Sequence, residues 1–222
     1  SHGGTGAPTW LPTENPEIST ESYGSTYGSA FNPVELGSGG GGGGAAPEVN
    51  GSLGGGLVFI EAGLMNISGN LSVDGFGDQD GGGGSGGSIN IVTDVIDGQG
   101  YFLARGRGGT GEGGGGGRIM IKYNTSLIND SHLLVNGTNG GEIGTGGRYD
   151  IAHNHLYGIQ NWEWSPRDAN LNLSNATMLP GTTVRGAGGN IIINSTYIMD
   201  GATYNGRNGS TQVQAEFIFV RN

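Results

Sequence analysis

The chain has 222 residues, among them 51 glycines and no cysteine, and carries a formal net charge of −10. Without cysteine it has no disulfides, thiolate metal sites or thiol nucleophiles. Nine Lys and Arg against 19 Asp and Glu leave no basic stripe for nucleic acid or an anionic membrane, and no run of 18 apolar residues predicts a membrane span.

Residues 1–44 are predicted to form an extended N-terminal arm that ends in the first polyglycine run. The first 32 residues combine Thr, Ser and Pro with isolated aromatics and have no repeat of their own. A disordered leader is one interpretation. We expect instead that the arm lies along a neighbouring copy of the chain, with Trp10, Tyr23 and Tyr27 as its contacts.

Residues 45–222 form the predicted folded domain and contain an internal repeat. Its full copies are GLVFIEAGLMNISGNLSVDG (56–75), GSINIVTDVIDGQGYFLARG (87–106) and GRIMIKYNTSLINDSHLLVNG (117–137), and shorter copies occupy 169–186 and 189–206. Apolar residues of the full copies align in columns, namely Val58 with Ile89 and Ile119, Ile60 with Ile91 and Ile121, Leu71 with Phe102, and Val73 with Ala104.

Each copy consists of short alternating segments separated by turns, with no 3.6-residue stripe. One copy cannot bury its own apolar face, but a second copy stacked about 4.8 Å above it can cover that face. The sequence therefore predicts an all-β chain in the form of a parallel β-solenoid with about five rungs.

Glycine runs at 39–44, 81–84 and 113–117 recur at the same corner of successive copies. Extended glycine segments can approach one another closely because they have no side chains. We expect the runs to stack as a polyglycine sheet or bundle on one side of the solenoid, with flexible loops as the alternative.

The segment SYGSTYGSAFNPVELGSGGGGGG (22–44), followed by GGLVFIEAG, GGSGGSINI and GGGGGRIMIKY, resembles glycine-rich β-helical surface proteins of eukaryotic microbes. The resemblance covers residues 22–123, and the chain departs from the family pattern after Gly137. It implies an extracellular, non-catalytic chain associated with a surface.

Ten asparagines open an N-x-[ST] triplet, whereas 20 Asn and 33 Ser and Thr in 222 residues would give about three by chance. The common preference of Asn, Ser and Thr for turns is one explanation of this excess. We favour N-glycosylation of a secreted protein. The predicted acceptors are Asn50, Asn66, Asn70, Asn124, Asn129, Asn136, Asn172, Asn175, Asn194 and Asn208.

Residues 138–168 form an aromatic-rich insertion that includes Trp162 and Trp164. Such side chains suit a sugar ring or another subunit, or they cap the local core. We expect the last segment, TQVQAEFIFV (211–220), to lack a polar cap. We expect Phe217 and Phe219 to contact the next copy in a head-to-tail assembly.

The sequence contains only weak matches to cofactor-binding, metal-binding and catalytic motifs. GxGxxG at Gly106, Gly108 and Gly111 is followed by more glycine and not by a helix. His153 and His155 would need a third strong metal ligand besides Asp150, and Asp74, Asp78 and Asp80 do not repeat a calcium-binding nonapeptide. The carboxylates form no column of acids; they are Glu61, Asp94, Asp97, Glu112 and Glu142.

We therefore expect no enzymatic activity, no cofactor and no metal. The predicted function is a structural subunit of a glycosylated extracellular filament or surface coat whose partner is another copy of the chain. The alternative is a monomeric adhesin domain that binds extracellular polysaccharide through the aromatic insertion.

Overall fold

The computed structural model describes residues 26–41, 50–77, 81–108, 113–164, 171–180, 183–186, 189–200, 203–205 and 211–221. These residues form fourteen strands and one short 3-10 helix (Asp130–His132), so the predicted all-β class is confirmed. The strands are β1 (Leu57–Asn66), β2 (Asn70–Ser72), β3 (Ser88–Asp97), β4 (Tyr101–Leu103), β5 (Arg118–Ser126), β6 (Leu133–Leu134), β7 (Thr145–Asp150), β8 (His155–Gln160), β9 (Glu163–Trp164), β10 (Leu171–Met178), β11 (Thr183–Gly186), β12 (Gly189–Asp200), β13 (Thr203–Asn205) and β14 (Thr211–Arg221).

The main sheet is mixed and has eight strands in the order β1-β3-β5-β7-β8-β10-β12-β14. Two three-stranded sheets, β2-β4-β6 and β13-β11-β9, accompany it. Every described strand pair is parallel except β7 with β8. The first copies of the repeat therefore each place one strand in the main sheet and one in the β2-β4-β6 sheet. The described part of the chain contains no helix that could cross a bilayer.

The predicted apolar columns are confirmed by the strand register. Val58 pairs with Ile89 and Ile89 with Ile119, while Leu71 pairs with Phe102 in the smaller sheet. Ile89, Ile119 and Phe102 are completely buried in one core cluster between the two sheets. Full burial of such a side chain contributes about 1.5–3 kcal/mol. Stacking of the copies thus supplies the core that no single copy can form.

The glycine corner, which we define as residues 37–41, 51–56, 73–77, 81–87, 103–108 and 113–117, is joined by backbone hydrogen bonds. The segment 81–87 bonds to all five of the others; examples are Gly82 N to Gly41 O (2.9 Å), Gly84 N to Phe76 O (2.8 Å) and Gly86 N to Gly115 O (3.0 Å). A β-strand in a sheet has only two neighbours. The described glycine runs therefore form a laterally bonded bundle, in agreement with the predicted stacking.

Glycine is required at most glycine positions of this corner because the backbones approach too closely for a side chain. A β carbon on Gly55 would overlap the carbonyl oxygen of Val73, and one on Gly83 would overlap that of Arg107. The buried donors and acceptors of these segments are satisfied by each other. The repeated glycine runs thus replace side-chain packing with main-chain hydrogen bonding.

The insertion interrupts the parallel order. β7 and β8 pair antiparallel around a turn at 151–154, in which Asn154 adopts a positive φ of 51°. Asparagine tolerates this left-handed conformation better than most residues. Both hairpin strands are integrated in the main sheet, β7 beside β5 and β8 beside β10. An uninterrupted series of equal parallel rungs is therefore not found.

Residues 26–41 pack on the outer face of the main sheet, the face opposite the Ile89 column. The Asn90 side chain donates a hydrogen bond of 2.9 Å to the Asn32 side chain. The Arg118 guanidinium donates to the carbonyl oxygen of Tyr27 at 3.2 Å. This part of the predicted arm therefore lies on its own chain and not on a neighbouring copy, because the buried polar groups of the sheet bind it.

Candidate functional site

The first strand is an open edge of the molecule. β1 lies at one end of the main sheet and β2 at one end of its own sheet, and no further strand pairs with them among the described residues. Val58 and Ile60 occupy the columns of the buried Ile89 and Ile91, yet they are only half-buried. No described residue therefore covers the interior of the stack completely at this end.

Exposed apolar side chains surround the open edge. Phe59 is 56% exposed and Leu64 69% exposed on β1, and Leu57 is also exposed. A cavity of about 650 Å³ opens at the same end and is lined in part by Leu57, Val58 and Phe76. Surfaces of this kind mark interaction sites in soluble proteins. The sequence did not predict Leu57, Phe59, Leu64 or Phe76 as contact residues.

The residue types at this surface differ between the first copy of the repeat and the later copies, and the aligned sequences show this difference. Leu57 stands in register with Ser88 and Arg118, and Phe59 with Asn90. The later copies carry polar groups that bind residues 26–41, whereas the first copy carries apolar groups that nothing described covers. Leu57 is thus the apolar member of an otherwise polar column, which indicates a different neighbour, whereas the Phe59 column continues through Asn90 to the buried Met120.

Asp74 is held by arginines of the next copy. It accepts hydrogen bonds from Arg105, including one of 2.6 Å from the guanidinium, and one of 2.9 Å from Arg107. Partial burial disfavours the charged carboxylate, but these bonds outweigh it and keep the pKa of Asp74 below its usual value. Asp78 and Asp80, the other carboxylates of this segment, lie outside the described residues. Asp74 itself serves as an ion-pair partner that links two copies.

The opposite end of the main sheet is β14, which pairs with β12 in parallel register. Phe217 is aligned with Thr196 and Phe219 with Ile198. No strand pairs with the other edge of β14 among the described residues. Within the described ranges, both end strands of the sheet thus have one edge without a partner strand, and the predicted contact residues lie in β14.

The structure corrects the expectation for Trp162. Its side chain is 0% exposed and packs in a core cluster with Ala30 and Met120, so it offers no surface to a ligand. Trp164 lies in β9, where its backbone pairs with Gly186, and its side chain lies outside the described residues. Trp162 is therefore part of the local core and not of a binding surface, because the hairpin and residues 26–41 enclose it.

Of the three contacts predicted for the N-terminal arm, the structure describes only Tyr27. The Tyr27 hydroxyl donates a hydrogen bond of 2.5 Å to the carbonyl oxygen of Leu36, so this ring belongs to a contact within the chain. Trp10 and Tyr23 lie outside the described residues. Their assignment to a neighbouring copy stays a prediction.

The histidines of the insertion do not converge. His153 Nδ1 lies 2.8 Å from Asp150, whereas His155 Nε2 lies 3.1 Å from the Thr177 hydroxyl. Burial lowers the pKa of His155 and favours its neutral form. No group of three metal-ligating side chains occurs in the ranges that the structure describes. The hydrogen bonds indicate that these histidines fasten the hairpin.

A second polar cluster of the insertion surrounds Arg148. Its guanidinium bonds to Asp130 at 2.5 Å and lies between the rings of Tyr123 and Tyr157, 5.7 and 5.8 Å from their centroids. Burial raises the pKa of Tyr123 to about 12, although the charge of Arg148 acts in the other direction. The phenol is therefore neutral at physiological pH, and the cluster has the character of a structural ion pair.

Most predicted glycan acceptors have solvent-exposed side chains. The exposed ones are Asn50, Asn66, Asn70, Asn124, Asn129, Asn136 and Asn172. Asn175 is half-buried, and the side chains of Asn194 and Asn208 lie outside the described residues. Exposure satisfies one requirement for glycosylation and leaves Asn175 as the least accessible described acceptor.

Comparison of the chain with family models, with curated proteins and with solved structures finds no match.

Proposed function

We propose that this chain is a non-enzymatic structural subunit of a glycosylated extracellular filament or surface coat, built as a parallel β-solenoid that stacks head to tail. The main support for this proposal is the open edge at β1. Val58 and Ile60 are half-buried at positions where the next copies have completely buried isoleucines. A strand from another copy would pair with the backbone of β1 and cover both side chains.

The two end strands of the main sheet are similar in length. β14 has 11 residues and β1 has 10, and both belong to the same sheet at opposite ends. Because the strand direction reverses between β7 and β8, β14 of one copy would pair antiparallel with β1 of the next. Each repeat of this pairing is the same heterologous contact. Such a contact does not close, so it extends into a filament. Polymer formation would remove the two exposed edges that otherwise invite uncontrolled pairing.

The extracellular part of the proposal is supported by the sequons and by the resemblance to glycine-rich surface proteins. Seven acceptor side chains are exposed on the described surface. Of these seven, only Asn66 lies in β1 or β14, at the last position of β1. Glycans on the other six would leave both contact strands free. The partners are then another copy of the chain and its own covalent glycans.

The rival function is a monomeric adhesin domain that binds polysaccharide through the insertion. The burial of Trp162 weighs against it, because the largest aromatic candidate with a described side chain is part of the core. Binding of the dispersed monomer to a glycan array would favour the rival.

The decisive experiment changes the open edge alone. We expect Val58→Lys with Ile60→Lys to abolish polymers in negative-stain micrographs, since two charges would be buried at the contact. Lysine can extend into solvent from a half-buried edge position, so the circular dichroism of the monomer is retained. The matched control is Leu127→Lys with Ile143→Lys, two exposed positions away from β1. Filaments that persist in the edge variant would contradict the proposal.

A further inference from the structure

An outward-facing column of the β2-β4-β6 sheet combines a predicted glycan acceptor with two aromatic rings. Asn70 at the start of β2 pairs in parallel register with Tyr101 at the start of β4. The next residues, Leu71 and Phe102, point into the core, so Asn70 and Tyr101 point outward. Asn70 is exposed and Tyr101 is 42% exposed.

The third member of the column is His132. Phe102 pairs with Leu133, which places His132 directly beyond Tyr101 in the stacking direction. The two rings lie 4.7 Å apart between centroids with an interplanar angle of 35°. His132 therefore covers the face of Tyr101 that is turned toward the third copy. The opposite face of Tyr101 is turned toward the first copy, where Asn70 stands.

A sugar on Asn70 would take the place that a third ring would have in this ladder. Consecutive members of a parallel column are about 4.8 Å apart, a spacing that suits stacked rings. The first sugar of an N-glycan is N-acetylglucosamine, whose C–H face is apolar and whose hydroxyls can stay in water. An aromatic ring with one free face and a partly exposed surface suits such a group.

We infer that Asn70, Tyr101 and His132 form an intramolecular glycan platform, on which the first N-acetylglucosamine of an Asn70 glycan packs against Tyr101. The inference rests on the proposed glycosylation. It assigns a role to two aromatic residues that neither the core nor the open edge uses. The packed glycan would cover the outer side of the column and hold the first copy against the second.

Asn66 provides a control within the same copy. It is also an exposed acceptor, but its register partner is Asp97, so no ring stands beside it in the column. Glycans on Asn66 and Asn70 share the same polypeptide and the same expression history. A difference between them therefore reports on the local surroundings of the two acceptors.

The experiment measures glycan release from the native glycoprotein made in a eukaryotic host. Glycopeptide mass spectrometry follows removal by an N-glycan amidase over time at Asn66 and Asn70, in wild type, Tyr101→Ala and Tyr101→Phe. We expect Tyr101→Ala to speed release at Asn70 by about threefold or more, because the packed sugar must detach before cleavage. Release at Asn66 should not change, and Tyr101→Phe should behave as wild type because it keeps the ring.

Three results would overturn the inference. One is an unchanged release rate at Asn70 in Tyr101→Ala, and another is a parallel increase at Asn66, which would indicate general loosening. The third is an unoccupied Asn70 on a protein that carries glycans elsewhere, which leaves the proposed function intact. Absence of glycans at every sequon would instead refute the glycoprotein itself.

Discussion

The Asn90 side chain of β3 donates a hydrogen bond of 2.9 Å to the side chain of Asn32, which lies 58 positions earlier in the sequence. Asn90 is completely buried, so this bond replaces a water that its amide nitrogen loses on folding. The pair fixes residues 26–41 to the outer face of the sheet.

We expect Asn32→Ala to lower the free energy of unfolding by about 1–3 kcal/mol, because the buried Asn90 amide loses its acceptor. Urea unfolding of both single variants and of the Asn32→Ala/Asn90→Ala double variant measures the coupling. Additive effects of the two changes would show that this hydrogen bond does not stabilise the fold.

The glycine corner can be tested at two adjacent positions. Gly55→Ala should destabilise the protein by about 3 kcal/mol or more, since the new β carbon meets the Val73 carbonyl oxygen. Gly56→Ala has open space around it and should be neutral or stabilise by about 0.4–1 kcal/mol. Thermal unfolding distinguishes the two, and equal midpoints would contradict the close backbone approach.

Asp74→Asn should weaken the link between the first two copies at neutral pH by about 1.5–3 kcal/mol, because the arginines lose a charged acceptor. The folded pKa of Asp74 lies below that of the unfolded chain, near 3.9. Its contribution is therefore complete above about pH 5 and is lost as the pH falls through the lower folded pKa. Stability should converge with that of Asp74→Asn in strong acid. The exposed Asp94→Asn is the control.

The terminal strand should be as necessary for assembly as the open edge. We expect Phe217→Asp with Phe219→Asp to abolish polymers and to leave the circular dichroism of the sheet unchanged. Deletion of residues 1–20 should have the same effect if the arm binds the neighbouring copy. Electron microscopy and sedimentation test each variant, and filaments that survive both changes would refute head-to-tail assembly through these segments.

Most of the ten sequons should carry glycans, since seven acceptors have exposed side chains. Intact-mass measurement before and after glycosidase treatment of the native protein tests this expectation. An unchanged mass would exclude N-glycosylation. Asn175 should have the lowest occupancy among the described acceptors, because its side chain is half-buried.

The strand stacking could be predicted from the sequence because the repeat itself specifies it. Val58, Ile89 and Ile119 recur at nearly constant spacing, and a period-2 pattern fixes which side chains face inward. The glycine runs were predictable for the same reason, as they recur at one corner of each copy. The periodicity of the sequence was therefore sufficient to predict the core residues and their strand register.

The features that lack a repeat were not predictable. The antiparallel hairpin at 145–160 has no counterpart in the other copies, and Trp162 is buried only because residues from distant parts of the chain meet there. The same holds for Asn32, whose partner is 58 positions away. Such contacts depend on long-range complementarity, which a pattern of neighbouring residues does not reveal.

The glycine corner also affects how stability depends on temperature. Unfolding of apolar cores raises the heat capacity, whereas exposure of polar backbone lowers it. This chain has only 33% hydrophobic residues, and the glycine bundle buries main chain that is hydrogen-bonded to other main chain. Its heat capacity of unfolding per residue should fall below the usual 12–15 cal/mol/K, roughly the average for globular proteins. A smaller value flattens the stability curve, so the protein should keep its fold over a broader range of heat and cold than a globular domain of equal maximum stability.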